Sequence, residues 1–272
     1  MAESRKTIEA ELRGNFRAFL RSQGSPMTPL WDALNMLKAR EWVAFSFGGI
    51  PRGVLDTGAK YNPRDLDLVF DDKDFLHFEK AFAPMIRRRN SYGGLKLIFN
   101  GLAIDAWPLS STWAFRTKII KDVSFKSLPK TTFLNIDGII VEVNPRDKKP
   151  RRIYESGFYD GWIQNVLDIN MVENPHPEIC FARTLQISRR FGFRVSQRLA
   201  IYLWETFNKT PILKLQEAQH RHYGRIQISG NELLEVYRGL KHGLNSSTML
   251  PIQIFPSRRN QMELAFGVQN HP

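Results

Sequence analysis

The sequence predicts an α+β fold: a small mixed β-sheet with helices on one face, followed by a mainly helical second half. Three observations carry this. Helical and strand-like apolar spacings alternate as far as Trp107, as they do where helices cover a sheet. Two turn signals, Asn100-Gly101 and Asp137-Gly138, sit between β-prone runs. From about Glu155 onward the apolar residues recur mainly at helical spacing. The Pro- and charge-rich stretch from Asn144 to Arg152 reads as a linker, dividing the chain into 1–150, 151–243 and a tail, 244–272.

Taken in order, Ile8, Leu12, Phe16, Phe19 and Leu20 mark a first helix, with Gly24 as its stop. Thr28-Pro29 supplies the N-cap and first residue of a second helix running toward Arg40. Val43 to Phe47 is a short β-prone run ending on Gly48-Gly49. A short helix from Ile50 to Asp56 and a loop from Thr57 to Pro63 lead to the next strand, Asp65 to Phe70. Asp71-Asp72 caps a helix carrying Phe75, Phe78, Phe82 and Ile86, predicted to end in Arg87-Arg88-Arg89. Leu95 to Phe99 and Leu102 to Trp107 form one hairpin; Thr131 to Ile136 and Ile139 to Val143 are expected to form another. Helices follow over Pro177 to Phe191, Ser196 to Phe207 and Asn231 to Leu240. Beyond Gly243 periodicity is lost, so an extended arm or disordered tail is expected.

Composition narrows the class. With 42% hydrophobic residues, the 272-residue chain can bury a sizeable core. No apolar run approaches the roughly 18 to 20 residues of a membrane span, so no membrane insertion is expected. Met1 to Lys6 lacks the apolar segment of a signal peptide. A single cysteine, Cys180, leaves no internal disulfide, and a cytoplasmic location is expected. Neither paired cysteines nor a His-Glu-x-x-His pattern points to zinc. The net charge of +12 suits polyanions: nucleic acid, nucleoside triphosphates or an anionic surface. A merely solubilising surface accounts for it equally well.

The chemistry concentrates between Phe47 and Asp105. In a strand, residues two apart share a face, so Asp65 and Asp67 project together while Leu66 and Leu68 enter the core. Neighbouring carboxylates repel, and a divalent cation such as Mg²⁺ resolves the repulsion while leaving room for phosphate oxygens. Gly48-Gly49 joins a strand to a helix start, where backbone N–H groups can hold triphosphate oxygens. Arg52, one turn in, is placed for a bidentate phosphate contact. Asp105 lies amid apolar neighbours on a hairpin strand, an expensive place for a carboxylate without a charged partner. Three such acids meet the needs of two-metal phosphoryl transfer.

Gly48-Gly49, Arg52, then Arg64-Asp65-Leu66-Asp67 and a later lone Asp105 resemble the polymerase-β nucleotidyltransferase superfamily. The pattern is most like the head of bacterial CCA-adding enzymes and poly(A) polymerases, and Pro177 to Phe193 is similar to the neck helix that follows that head. The resemblance implies a nucleotidyltransferase head and a helical neck and body. It implies two Mg²⁺ ions, with Mn²⁺ as a substitute, on Asp65, Asp67 and Asp105. Gly48, Gly49, Arg52, Arg64 and Arg183 would hold the nucleotide. Two departures stand out. The family's acid after the arginine is Gly53 here, and its base-reading Glu-Asp-x-x-Arg aligns with His176-Pro177-Glu178-Ile179-Cys180, with Arg183 nearby.

The activity implied is template-independent transfer of NMP or dNMP from a nucleoside triphosphate, ATP or dATP favoured, to a hydroxyl with release of pyrophosphate. Two acceptors are implied: an oligonucleotide begun de novo or on the protein itself, which the missing base-reading motif favours, or, as the alternative, an RNA or tRNA 3′ end. Oligonucleotide synthesis of the first kind occurs in anti-phage signalling enzymes of the Hailong type, which this chain also resembles. A tRNA- or protein-modifying toxin and a non-catalytic nucleotide-binding module are the rivals. Elsewhere, plainer readings are preferred. Arg87 to Arg89 are expected at a solvated helix end and His220 and His222 at a surface helix terminus. Trp42, Trp107, Trp113 and Cys180 are expected in the core, and Ser246, Ser247, Thr248 and Ser257 as loop hydroxyls that include a candidate acceptor.

Overall fold

The computed structural model describes residues 2–22, 29–145, 149–246 and 250–255. Gly24 and Thr28, expected at the first two helix boundaries, lie outside them, as do Ser247, Thr248 and Ser257. The chain forms two compact units, one from residues 1–132 and 136–159 and one from 133–135 and 160 onward.

The first unit opens with helices α1 (Ala2–Ser22) and α2 (Pro29–Ala39). Strand β1 (Ala44–Phe47), helix α3 (Gly49–Thr57), strand β2 (Asp65–Phe70) and helix α4 (Asp72–Phe82) follow. Strands β3 (Ile86–Arg89), β4 (Leu95–Phe99) and β5 (Leu102–Pro108), the short helix α5 (Trp113–Arg116), and strands β6 (Ile139–Glu142) and β7 (Ile153–Glu155) complete it. The seven strands form one mixed sheet in the order β3-β4-β5-β2-β1-β6-β7. Among the described residues of this sheet only β2 and β5 pair in parallel; the other pairs are antiparallel.

Alternation sorts side chains to two faces. On one, Phe70 meets Phe75 and Phe78 of α4, and Phe82 meets Phe99. On the other, Phe45, Val69 and Ile140 pack under Leu109, Phe115 and Leu128 from the excursion between β5 and β6. That excursion covers only part of its face, and the acids lie where the cover ends. α4 is capped as its sequence predicts: the Asp71 carboxylate accepts from the Lys73 N–H at 3.1 Å.

Three expectations are corrected. The helix predicted to reach Arg89 stops at Phe82, because a 3₁₀ turn containing Pro84 follows and Ile86 to Arg89 become an edge strand. The three arginines therefore lie on the sheet's rim, not at a helix end. The hairpin around Asp137-Gly138 does not form. Leu128–Thr131 and Asn135–Asp137 are 3₁₀ turns, and Ile139–Glu142 pairs with β1 and β7 instead. Residues 144–152 connect two strands of a single sheet, since β7 pairs with β6. The hairpin at Asn100-Gly101 is present, both residues having the positive φ (48° and 88°) of a tight turn.

Helix α6 (Phe158–Gln164) carries the chain into the second unit. There β8 (Val166–Leu167) and β9 (Arg194–Val195) form a parallel pair beside helices α7 (Pro177–Phe191), α8 (Gln197–Lys209), α9 (Ile212–Tyr223) and α10 (Gly230–Asn245). α10 begins with a capping box between Ser229 and Glu232. Beyond it the chain returns: Ile252 bridges to Val195, through reciprocal backbone bonds of 2.8 and 2.9 Å. Among the described residues, no helix is long and apolar enough to cross a membrane.

Candidate active site

Leu66 and Leu68 are buried toward α4, which turns Asp65 and Asp67 to the opposite, half-open face. The parallel pairing of β2 and β5 places Asp105 directly opposite Asp67, and Ala103 opposite Asp65. Paired positions on adjacent strands, about 4.8 Å apart, send side chains to the same side. All three carboxylates therefore share one face. Sequence alternation located Asp65 and Asp67; the strand order brings in Asp105.

Two cations stand among them: Arg64, which the resemblance put forward as a nucleotide contact, and Lys96, which the sequence did not single out. Arg64 bonds the Asp65 carboxylate through Nη2 at 2.6 Å and Nε at 3.0 Å. Its guanidinium is held more firmly protonated than usual, chiefly by that bond, with Asp65, Asp67 and Asp105 adding their charge. Lys96 lies opposite Asp105 on β4, its Nζ 3.3 Å from Oδ2. Burial pushes the Asp105 carboxyl above its usual range; Lys96 and Arg64 oppose this, while Asp65 reinforces it. Among the described residues, no three His, Cys, Asp or Glu side chains converge as a ready metal-binding group. Asp65 and Asp105 are each turned onto a cation. The donor set still fits a hard divalent ion, since it offers carboxylate oxygens from adjacent strand positions on one open face.

Gly48, at the end of β1, has φ 49° and ψ −85°, a backbone state that favours glycine. Its N–H donates to the Ile139 carbonyl at 3.2 Å and its carbonyl accepts from Arg52 N–H, so this residue shapes the turn. At Gly49, where α3 begins, the space beside Cα is open. Arg52 is buried, its guanidinium bound to Asp137, whose carboxylate also lies against Gly48. Asp137 escaped sequence reading because it looked like a turn residue. Gly53, where the resembled family has an acid, faces the Tyr61 ring so closely that any β-carbon would collide with it. Arg183 lies half-buried on α7, in the second unit.

No protein-family model matches the chain, and no curated protein sequence matches it. Solved structures do. A Thermotoga maritima CCA-adding enzyme complexed with tRNA aligns at TM-score 0.58 and 16% identity, over 83% of this chain and 53% of that one. A CCA-adding enzyme with CTP aligns at TM-score 0.58 and 16% identity, over 82% and 54%. Another with ATP aligns at TM-score 0.54 and 13% identity, over 93% and 68%. The chain spans about half the length of the first two. At these identities the likeness is one of fold, and the fold is that seen in CCA-adding enzymes.

Proposed function

We propose that this chain is a template-independent nucleotidyltransferase, moving NMP or dNMP from a nucleoside triphosphate to a hydroxyl acceptor. The observation that carries the reading is the shared face of Asp65, Asp67 and Asp105, set beside the glycine turn that starts α3. In the reaction the acceptor oxygen bonds to the α-phosphorus, the bond to the β-phosphate bridge breaks, and pyrophosphate leaves with its electron pair. The hydroxyl proton is given up to base.

Asp65, Asp67 and Asp105 are the groups that would hold divalent ions, two Mg²⁺ or Mn²⁺. Such ions, when bound, acidify the acceptor hydroxyl and neutralise the leaving pyrophosphate. Asp65 and Asp67, two residues apart on one strand, present oxygens side by side. Asp105 approaches from the neighbouring strand and orients the acceptor side. Arg64, released from Asp65, lies near enough to meet phosphate oxygens. Gly49, at the N-terminus of α3, offers backbone N–H groups to the triphosphate. Arg52 contributes indirectly, since its pairing with Asp137 props the Gly48 turn. Arg183 is proposed, on the resemblance alone, as a nucleotide-binding residue.

ATP or dATP is the preferred donor in this reading. An RNA 3′ end is favoured as acceptor by the fold, which CCA-adding enzymes bound to tRNA, CTP or ATP share. Synthesis begun on a free nucleotide or on a hydroxyl of the protein, as in phage-defence signalling, is the second reading; the absence of the family's base-reading residues at His176 to Cys180 favours it. The test is to incubate purified protein with Mg²⁺ or Mn²⁺ and each labelled NTP and dNTP, with and without RNA. Label should enter polymer or protein in the wild type and not in Asp67→Ala. Equal incorporation by that variant would sink the proposal.

A further inference from the structure

The open face continues beyond the acids. Arg88 pairs with Lys96, Lys96 with Asp105, and Asp105 with Asp67, so these four residues form one row across β3, β4, β5 and β2. The opposite face confirms the assignment: Leu95 and Leu97 are buried, and Arg89 reaches Glu79 on α4. Arg88 and Lys96 are left exposed on the acid-bearing side. Like charges directly opposite each other on neighbouring strands repel, and an anion laid across them would relieve that. Next to the row, the β3–β4 turn carries Tyr92, 39% exposed, with the Arg116 guanidinium 5.3 Å from its ring centre.

Strand order then divides the site. The glycine turn closes β1, on one side of β2; Lys96 and Arg88 lie on the other side, beyond β5. An in-line displacement needs donor and acceptor on opposite sides of the transferred phosphorus. The triphosphate has the β1 side, so the acceptor has the β4 and β3 side.

We infer that Arg88 and Lys96 form a track for the phosphodiester backbone of a single-stranded oligonucleotide acceptor, leading its 3′ hydroxyl to the carboxylates. Tyr92 offers a flat surface to a base farther out. The inference rests on the nucleotidyltransferase reading for its chemistry, while binding can be measured without it.

The experiment uses fluorescence anisotropy of a labelled single-stranded RNA and its DNA counterpart on the full chain, without metal, over a salt series. Arg88→Gln should weaken binding several-fold and lower the log–log salt slope by about 0.7, the value for one phosphate contact on a single strand. Arg89→Gln removes the same charge from the same strand on the face toward α4, and should change neither quantity. Mg²⁺-nucleotide binding should be the same in all three proteins, and circular dichroism checks that each is folded. Wild-type affinity and slope in Arg88→Gln, or an equal loss in Arg89→Gln, would overturn the track. If the oligonucleotide binds through Arg88 yet no label is ever incorporated, the transfer reading falls and the track stands. If transfer proceeds in Arg88→Gln with the wild-type KM for acceptor, the track alone falls.

Discussion

The Tyr61 ring occupies the space a side chain at position 53 would need. Placing an acid there, as in the family the sequence resembles, is therefore a steric insult before it is an electrostatic one. Gly53→Ala should cost about 1–3 kcal/mol from overpacking, and Gly53→Asp more; an unchanged urea midpoint in both would mean the ring moves aside freely. Arg52→Ala should cost about 3–5 kcal/mol, because it leaves a buried carboxylate at Asp137 without its guanidinium. The double variant Arg52→Met/Asp137→Leu should recover much of the loss, and no recovery would show that the pair does more than balance charge. Asp105 gives a pH signature. Its folded pKa is raised, so the folded state binds the proton more tightly than the unfolded chain, and ionisation costs stability at neutral pH. Asp105→Asn should raise the Tm of the metal-free protein at pH 7. The gain should fade as pH drops through the folded pKa toward about 3.9, the unfolded value. A gain constant from pH 7 to pH 3 would point to packing rather than charge.

At the scale of elements, the β4–β5 hairpin sets the site, because its register decides that Lys96 faces Asp105 and that Asp105 faces Asp67. A one-residue slip would turn Asp105 toward α4. Gly101, at φ 88°, protects the register, and Gly101→Val should cost about 1–2 kcal/mol of stability. A wild-type unfolding midpoint in that variant would show the turn to be unimportant. This hairpin was readable from the sequence since Asn-Gly is a local signal, and so was β2, whose alternation places Asp65 and Asp67 without outside information. β3 was not readable, because Ile86 continues the helical spacing of Phe75, Phe78 and Phe82, and only Pro84 hinted at the break. Asp137 looks like an exposed turn because its burial depends on Arg52, 85 residues earlier in the chain. Lys96 alternates with Leu95 and Leu97 like any exposed strand residue. Only the pairing of β4 with β5 gives it a role.

At the scale of the whole chain, residues 250–255, beyond α10, have a defined place. Ile252 pairs with Val195 and packs against Gly243, where a β-carbon would approach its side chain to 2.8 Å; Phe255 lies under the Arg189 guanidinium at 4.6 Å. Ending the chain at Ser246 should therefore lower the Tm by several degrees relative to ending it at Phe255. Equal melting would mean that the bridge adds nothing to the second unit. The parallel pairing of β2 with β5 carries a consequence for how the protein acquires its site in time. Hairpins close within microseconds, so β4 and β5 can meet early, bringing Lys96 to Asp105 as a local event. Asp67 reaches that pair only when β2, separated from β5 by α4 and the β3–β4 ribbon, docks alongside, a closure that pays loop entropy before contacts reward it. Asp105 thus joins the Asp65–Asp67 pair only when the two strands dock. An incompletely folded chain therefore holds the acids as separate local pieces, and the nucleotidyltransferase proposed above would gain its site only once the sheet is whole.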